Sequence, residues 1–201
     1  MKKITLLICL SILTVGVTAQ NLVLNPGFEN WDDATTPTDW TTVESVSQED
    51  VELHSGSYSA KHTGGTSDLG QTIAVTGGQN YQLSFWYKVE SGDGEDARIW
   101  CVWEENGNRL YDDTGGEIRG PDGGYLSSGS GEWLQYSTTT TAPANATDLY
   151  LEVRTYSGSV TYYDDFVLEE YIDTDAPVFE SGYPMAGNIE DVQFDLMAQL
   201  D

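Results

Sequence analysis

Basic side chains are scarce in this sequence. Eight lysines and arginines stand against 33 aspartates and glutamates in 201 residues, which gives a formal net charge of -25. Proteins that bind nucleic acids or anionic lipid headgroups obtain most of their affinity from Lys and Arg. The composition therefore excludes nucleic-acid and membrane-surface partners. Hydrophobic residues (39%) and aromatic residues (11%) are too many for a disordered acidic tail, so we expect a folded core.

Cysteine is almost absent. Cys9 lies in the N-terminal apolar segment, so a chain that loses this segment keeps Cys101 alone. One thiol allows neither an internal disulfide nor a cysteine-based zinc site. Residues 97–103 alternate in polarity, with Ile99, Cys101 and Trp103 on one face, which predicts that Cys101 is a small buried hydrophobe. The fold must be held together in another way.

Only one long apolar run is present. It covers residues 4–17, follows Lys2 and Lys3, and ends in the small-x-small sequence of residues 17–19. This pattern is typical of a cleaved secretory signal, so we predict a signal peptide over residues 1–19 and a secreted or cell-surface protein. A retained membrane anchor is the alternative, but the run is short for a bilayer span of roughly 20 residues.

The rest of the sequence has no sustained helical period. Short runs rich in Val, Tyr, Phe, Trp and Thr alternate with clusters of Gly, Asp, Asn and Ser, which indicates an all-β chain. The clearest predicted strands cover residues 81–89, 149–156 and 162–168. So many short strands favour a β-sandwich.

A change of composition divides the C-terminal part. The acidic, proline-containing residues 173–177 follow the last predicted strand and are interpreted as a linker after a module spanning residues 20–172. Residues 178–201 resume an alternating pattern but are too few to bury a core. We interpret them as the beginning of a second, truncated β domain in a longer exported protein. The alternative is a tail strand added to the main sandwich.

Catalytic patterns are missing from the sequence. With 33 acidic residues, any spacing between two carboxylates occurs by chance. His54 and His62 have neither a GxSxG elbow nor an HExxH helix with them, and both are expected to be ordinary histidines. We therefore predict that this chain is not an enzyme and that any catalytic domain lies downstream. Hydrolysis of a glycan by the chain itself is the alternative.

Five short segments occur in order over about residues 21 to 171. They are the NxGFE-type residues 21–29, residues 56–60 and 81–86, Trp133 before a threonine-rich strand that ends at 142–143, and the Asp-Asp-Phe of 164–166. Together they resemble the carbohydrate-binding modules related to the cellulose- and xylan-binding families. The resemblance implies a jelly-roll sandwich like the galactose-binding domain, a structural calcium ion, and non-catalytic glycan binding on the concave face or at the loop tips.

The expected calcium site also has an argument from the residues. Strand alternation places Asp164 on the face of Phe166 and Leu168, toward the core, where a carboxylate needs a partner. A hard cation held by oxygen ligands would join the two ends of the module in place of a disulfide. The alternative is that Asp164 caps the strand through hydrogen bonds and that the carboxylate of Glu29 is solvated. The predicted ligands are the carboxylates of Glu29 and Asp164 and backbone carbonyls near Gly27 and Gly56.

Outward-facing strand residues supply the predicted glycan site. Pyranose rings stack their C–H faces on Trp and Tyr, and their hydroxyls bond to Arg and carboxylate groups. The alternative is a structural face in which these aromatics pack under loops such as residues 112–125. We thus predict a module that targets a larger protein to a polysaccharide, against an adhesion or spacer module without a sugar ligand. The predicted binding residues are Trp86, Lys88, Arg98, Trp100, Tyr150, Glu152, Arg154 and Tyr156.

Overall fold

The structure is a computed structural model, and it shows an all-β chain. No helix occurs in the part that it describes, and so none there is long and apolar enough to cross a membrane. The predicted signal peptide (1–19), linker (173–177) and second β segment (178–201) lie outside the described residues. The described residues are 20–91, 97–111, 117–120, 124–126, 131–156 and 158–171.

The described residues form thirteen strands, which are mostly short and separated by turns, as the sequence predicts. They are β1 (Trp31–Asp33), β2 (Thr36–Pro37), β3 (Thr42–Val43), β4 (Val46–Glu49), β5 (Ser59–Thr63), β6 (Ser67–Ala74), β7 (Asn80–Ser91), β8 (Ala97–Glu105), β9 (Asn108–Arg109), β10 (Glu117–Arg119), β11 (Leu134–Thr141), β12 (Asp148–Thr155) and β13 (Val160–Glu170).

The strands make two main antiparallel sheets. Sheet I has six strands, in the order β10-β8-β12-β6-β3, with β9 paired to β8. Sheet II has five strands, in the order β11-β7-β13-β5-β4. A small two-strand ribbon of β1 and β2 lies apart from both sheets. This arrangement confirms the predicted all-β sandwich.

The core lies between the two sheets and follows the predicted alternation. Leu83 and Phe85 of sheet II and Leu149 and Leu151 of sheet I are fully buried, and their neighbours in sequence face outward. Cys101 is also buried in this core, and burial raises its pKa to about 12. Its thiol is therefore neutral and inert, and its burial confirms the predicted role as a small hydrophobe.

The first described residues run along the last strand. The Leu22 amide donates to the Leu168 carbonyl at 2.7 Å. The Asn21 side chain donates to the Phe166 carbonyl at 2.9 Å and accepts from the Leu168 amide at 3.0 Å. Hydrogen bonds of this kind join the two ends of the module without a covalent bond.

A β-bulge in β13 overturns one detail of the prediction. Tyr163 pairs with Tyr87 and Asp164 with Trp86, but the register then shifts, and Asp165 adopts a φ of 49°. Because directly paired residues share a face, Asp164 lies on the outward side with Trp86 and not on the core side of Phe166. The predicted core-facing Asp164 is therefore wrong, since an extra residue breaks the period of two. Asp164 is nevertheless fully buried, under the loop before β5.

A cluster of buried polar side chains lies inside the sandwich, where β5 pairs with β13. His62 is fully buried, and its Nδ1 lies 2.9 Å from Thr155 Oγ1. Thr161 pairs with it across β5 and β13 and is also fully buried. Burial is the main cause that lowers the His62 pKa from 6.5 to about 4. The imidazole is therefore neutral in the folded protein at physiological pH.

Candidate functional site

The eight predicted glycan-binding residues do not share one surface. Trp86 and Lys88 belong to β7 and face outward from sheet II. The others belong to β8 and β12, or follow β12 directly, and lie on the outer side of sheet I. The structure therefore divides the predicted site between opposite sides of the sandwich.

The loop before β5 covers the outer face of sheet II at Trp86. The His54 ring stacks on the Trp86 indole, with centroids 3.9 Å apart and planes 15° apart. His54 Nδ1 is 2.6 Å from Asp165 Oδ2, and Lys88 Nζ donates to Glu52 Oε2 at 2.5 Å. Trp86 and Lys88 thus bind a segment of their own chain.

Trp100 occupies the middle of the outer face of sheet I. Guanidinium carbons of three arginines lie close to its ring centroid, at 4.9 Å for Arg98, 4.5 Å for Arg119 and 4.8 Å for Arg154. Its indole Nε1 donates to Glu117 Oε1 at 3.3 Å. Cation–π contacts of this kind are each favourable by about 0.5–1 kcal/mol at exposed sites. They fix both the indole and the planar donors around it.

An ion-pair network lies beside Trp100. Arg154 Nε and Nη2 donate to the two carboxylate oxygens of Asp68, at 2.5 and 2.9 Å, and Nη2 also lies 3.1 Å from Glu152 Oε1. Only 4% of Glu152 is exposed. Burial, followed by the charge of Asp68, raises the Glu152 pKa, and Arg154 opposes this shift. Glu152 is therefore a desolvated acceptor whose charged form Arg154 stabilises.

Tyr150 forms a second aromatic position on this face. Its hydroxyl is 2.9 Å from Thr42 Oγ1, and the Arg109 guanidinium carbon lies 4.9 Å from its ring centroid. The ring lies over Gly70, where an added β-carbon would be 3.4 Å from the ring and 2.5 Å from the Leu151 carbonyl oxygen. A glycine is needed at this position chiefly because a side chain would collide with the Leu151 carbonyl, and it also leaves room for the tyrosine ring. Burial is the main reason that the Tyr150 pKa rises to about 12.

A further tyrosine pair extends the face beyond β12. Tyr156 meets Tyr125 edge to face, with centroids 5.4 Å apart. The Arg98 guanidinium carbon lies 4.8 Å from the Tyr125 ring centroid and also contacts Trp100. Aromatic and guanidinium groups thus continue from Tyr156 to Trp100 along one side of the protein.

We call the outer side of sheet I, with these residues, the arginine face. It carries all four arginines of the sequence, and three of them pair with a carboxylate. Planar N–H donors, carboxylate acceptors and aromatic rings within a few ångströms are the groups that recognise the hydroxyls and C–H faces of sugars. Beyond the predicted set, the structure adds Asp68, Arg109, Glu117, Arg119 and Tyr125 to this face.

Sequence reasoning missed these five residues for three reasons. Arg109, Glu117 and Arg119 lie on strands of two or three residues, which are too short to show a period. Asp68 lies on the longer β6, but an acidic residue carries little signal in so acidic a chain. Tyr125 belongs to a loop region that the sequence analysis considered only as a cover for the tryptophans.

The four predicted calcium ligands lie in two pairs, Glu29 with Gly56 and Asp164 with Gly27. The Glu29 carboxylate accepts bonds from the Ser57 amide at 2.9 Å and the Tyr58 amide at 3.3 Å, and it lies against Gly56. A β-carbon added at Gly27 would be 3.6 Å from Asp164 Oδ1. The residue 54–58 turn connects the pairs, because it also contacts Asp164.

Backbone amides already satisfy much of the hydrogen-bonding capacity of the Asp164 carboxylate. Oδ2 accepts from the amides of His54 and Ser55, both at 3.1 Å, and Oδ1 accepts from the Asp165 amide at 2.8 Å. Burial, opposed by the Ser55 bond and reinforced by the charge of Asp165, raises the Asp164 pKa to about 6. Among the described residues, no three His, Cys, Asp or Glu side chains are arranged to hold a metal ion. Any cation here would rely on two carboxylates and on main-chain oxygens.

An antiparallel sandwich of this kind is the fold of carbohydrate-binding modules, and this protein is of that class. Residues 20–159 match the model of the family described as "Carbohydrate binding domain" (CBM_4_9), and the chain belongs to that family. Members of this family are non-catalytic binding modules, in agreement with the prediction that this chain is not an enzyme. A search of curated proteins gives no match.

Solved structures of carbohydrate-binding modules share the fold. A family 16 carbohydrate-binding module is 20% identical with a TM-score of 0.54, and the match covers 74% of this chain and 99% of that one. The CBM22-1 xylan-binding domain of Paenibacillus barcinonensis Xyn10C is 17% identical with a TM-score of 0.50, over 76% and 95% of the two chains. The CBM22-1–GH10 modules of Clostridium thermocellum endo-1,4-β-D-xylanase 10B, complexed with xylohexaose, are 16% identical with a TM-score of 0.51, over 79% and 30%. These likenesses confirm the predicted jelly-roll sandwich.

Proposed function

We propose that this carbohydrate-binding module holds a polysaccharide on its arginine face. The observation that carries the proposal is the position of Trp100, with three guanidinium groups within 5 Å of its ring centroid and a buried carboxylate nearby. The opposite face offers a tryptophan that is already stacked on His54. Only one of the two sheets therefore presents its aromatic residues together with several planar donors.

Each group on the arginine face has a distinct task in this proposal. The Trp100 ring orders the guanidinium groups of the three arginines around it, and Tyr150, whose ring contacts Arg109, presents apolar surface to the C–H faces of sugar rings. Arg98, Arg119 and Arg154 donate hydrogen bonds in fixed planes to ring hydroxyls. Carboxylates hold Arg119 and Arg154 in place, and Arg98 stacks on Trp100 and Tyr125, so little conformational entropy is lost when the sugar binds.

A titration followed by NMR tests which face binds. Soluble xylan, cellulose and galactan fragments are added to the labelled protein while the indole N–H signals of Trp100 and Trp86 are followed. We expect a fragment to move the Trp100 signal and leave the Trp86 signal in place. Movement of the Trp86 signal alone would contradict the assignment of the face. If affinity gels of all three polysaccharides fail to retard the protein, the spacer function is favoured.

We also propose that a calcium ion binds where Glu29 and Asp164 approach the 54–58 turn. Its support is the approach of Asp164 to Gly27 and of Glu29 to Gly56 around one turn, together with the full burial of Asp164. Two carboxylates and main-chain carbonyls would supply the oxygen ligands that Ca²⁺ prefers. The ion would supply the positive charge that the buried Asp164 lacks and would hold the N-terminal segment against β13.

Removal of the ion tests this site. At about 100 times its dissociation constant, calcium stabilises a folded protein by roughly 2.7 kcal/mol, which for a domain of this size raises Tm by several degrees. We expect a chelator to lower Tm by that amount, added calcium to restore it, and Asp164→Asn to abolish the response. Asp33→Asn, on the exposed β1–β2 ribbon, is the matched control. A Tm that changes neither with chelator nor with added calcium would contradict the proposal.

Finally, we propose that the module is exported and brings a larger protein to its glycan. The support is the signal-like sequence of residues 1–19 and the change of composition at residues 173–177. Attachment of a binding module to a catalytic one is seen in the xylanase described above. Mass spectrometry of the protein recovered outside the producing cells checks export, since the expected mature chain begins at Gln20. A chain that keeps residues 1–19 would contradict this.

A further inference from the structure

Asp68 is the residue that fixes Arg154 from the neighbouring strand. The two residues are directly paired in the register of β6 and β12, and both nitrogens of the fork, Nε and Nη2, reach the carboxylate. Asp68 is itself held, because its amide donates to Glu44 Oε2 at 2.9 Å and its carbonyl accepts from the Glu44 amide at 3.0 Å. The carboxylate thus has a defined position before any ligand is bound.

The need for this carboxylate follows from the next strand. Arg154 is also directly paired with Arg98 across β12 and β8. Both guanidinium groups lie within 5 Å of the same Trp100 centroid. Like charges directly opposite each other in a sheet repel, and an unrestrained Arg154 would turn away from Arg98 and from the indole. The fork to Asp68 opposes that movement and is the only one of the two carboxylate contacts that engages Nε, since Glu152 lies 3.1 Å from Nη2.

We propose that Asp68 is a positioning residue for glycan binding, which acts by holding the Arg154 guanidinium against Trp100. This inference rests on the proposed function of the arginine face. Asp68 itself makes no bond to the sugar in this account. Its contribution is the orientation of the Arg154 donors, since a bidentate pair fixes the plane of the guanidinium as well as its distance.

A double-mutant cycle tests the inference. Affinity for the fragment that binds best in the titration is measured for wild type, Asp68→Asn, Arg154→Gln and the double variant. We expect Asp68→Asn to weaken binding about tenfold in wild type and to have no effect in the Arg154→Gln background, because coupled residues are not additive. Asp68→Glu keeps a carboxylate and should recover part of the loss. Asp33→Asn, which removes the same charge from the β1–β2 ribbon, should leave binding unchanged.

Two outcomes would overturn the inference. If Asp68→Asn weakens binding equally in both backgrounds, Asp68 contacts the sugar directly. If it changes nothing in wild type, the fork has no part in binding. Near-UV circular dichroism confirms that each variant is folded.

A readout without ligand separates this inference from the proposed function. The Arg154 Nε–H signal is followed by NMR, and we expect slow exchange with water in wild type and fast exchange in Asp68→Asn. Absence of binding to any polysaccharide, with this exchange difference present, would remove the proposed function but leave the positioning of Arg154 demonstrated. Equal exchange in the two proteins would overturn the positioning itself.

Discussion

All four arginines of this chain lie on the outer side of sheet I, whereas Lys61 and Lys88 lie on the outer side of sheet II. Both sides also carry aromatic residues at outward strand positions. On sheet II, however, Tyr162 is 2% exposed between the two lysines, and Trp86 is covered by His54. An outward aromatic residue is therefore a candidate for binding only when the chain does not cover it.

Lysine and arginine side chains match the different surroundings on the two outer sides of the sandwich. Lysine is a compact charge on a flexible stem, and on sheet II each lysine meets one carboxylate, Glu49 for Lys61 and Glu52 for Lys88. Arginine is a planar fork that stacks on rings while it bonds to carboxylates, and three arginines do both around sheet I. The comparison indicates that one side is built to be covered and the other to present oriented donors.

Truncation of the two tryptophans should give the largest contrast. We expect Trp100→Ala to weaken glycan binding by about 2–4 kcal/mol, the range of a binding hot spot. Trp86→Ala should leave affinity unchanged but lower the free energy of unfolding by about 2 kcal/mol, because it removes the support of the covering loop. Isothermal titration calorimetry and urea denaturation measure the two quantities. Equal losses of affinity in both variants would break the comparison.

His62 lies between the sheets and should affect stability without touching either outer face. Its folded pKa of about 4 is below the unfolded value of 6.5, so the unfolded chain binds more protons between these values. The neutral histidine contributes its stability above pH 6.5 and loses it as the pH falls through 4, by up to about 3 kcal/mol. The urea midpoint should therefore fall less between pH 7.5 and pH 4.5 in His62→Gln than it does in wild type. The same pH dependence in both proteins would contradict the prediction.

Substitution of arginine by lysine on one side, and of lysine by arginine on the other, sharpens the comparison further. We expect Arg119→Lys to weaken glycan binding by about 1–2 kcal/mol, because lysine keeps the charge but loses the planar fork to Glu117 and the stack on Trp100. The reverse exchange on sheet II, Lys88→Arg, should leave affinity unchanged. Retention on affinity gels compares the variants. Full retention of Arg119→Lys would show that charge alone is sufficient on the arginine face.

The smallest effect is expected from the ion pair on sheet II. Lys88 is bound to Glu52, whose side chain is 38% exposed and therefore screened by solvent. Lys88→Met should lower the free energy of unfolding by less than about 1 kcal/mol, and added salt should reduce the difference. Thermal melts at low and high salt measure this. A larger, salt-independent loss would indicate that Lys88 supports the loop by packing.

The strand periods predicted most of the fold but not the bulge. Tyr81 to Val89 and Leu149 to Tyr156 alternate strictly, so their inward and outward faces could be read from the sequence. The step at Asp164 could not, because a bulge depends on the pairing of β13 with β7 and not on local composition. One extra residue was enough to reverse the face predicted for Asp164.

The grouping of the candidate residues was also predicted only in part. The outer surface shared by Arg98, Trp100, Tyr150, Glu152 and Arg154 follows from their outward strand positions, because β8 and β12 are adjacent, and their role in binding stays a prediction. Trp86 shows the same outward period, but its sheet is set by long-range pairing that one sequence does not contain. The carboxylate of Asp68 shows no signal in the sequence, because its role depends on the strand opposite it.

The attachment of Asn21 to β13 has a consequence for biosynthesis. These hydrogen bonds join residues 147 positions apart in the chain. At synthesis rates of about 5–20 residues per second, the nascent N-terminal edge waits on the order of ten seconds for its partner to leave the ribosome. During that interval the nascent module lacks the hydrogen bonds that join its two ends.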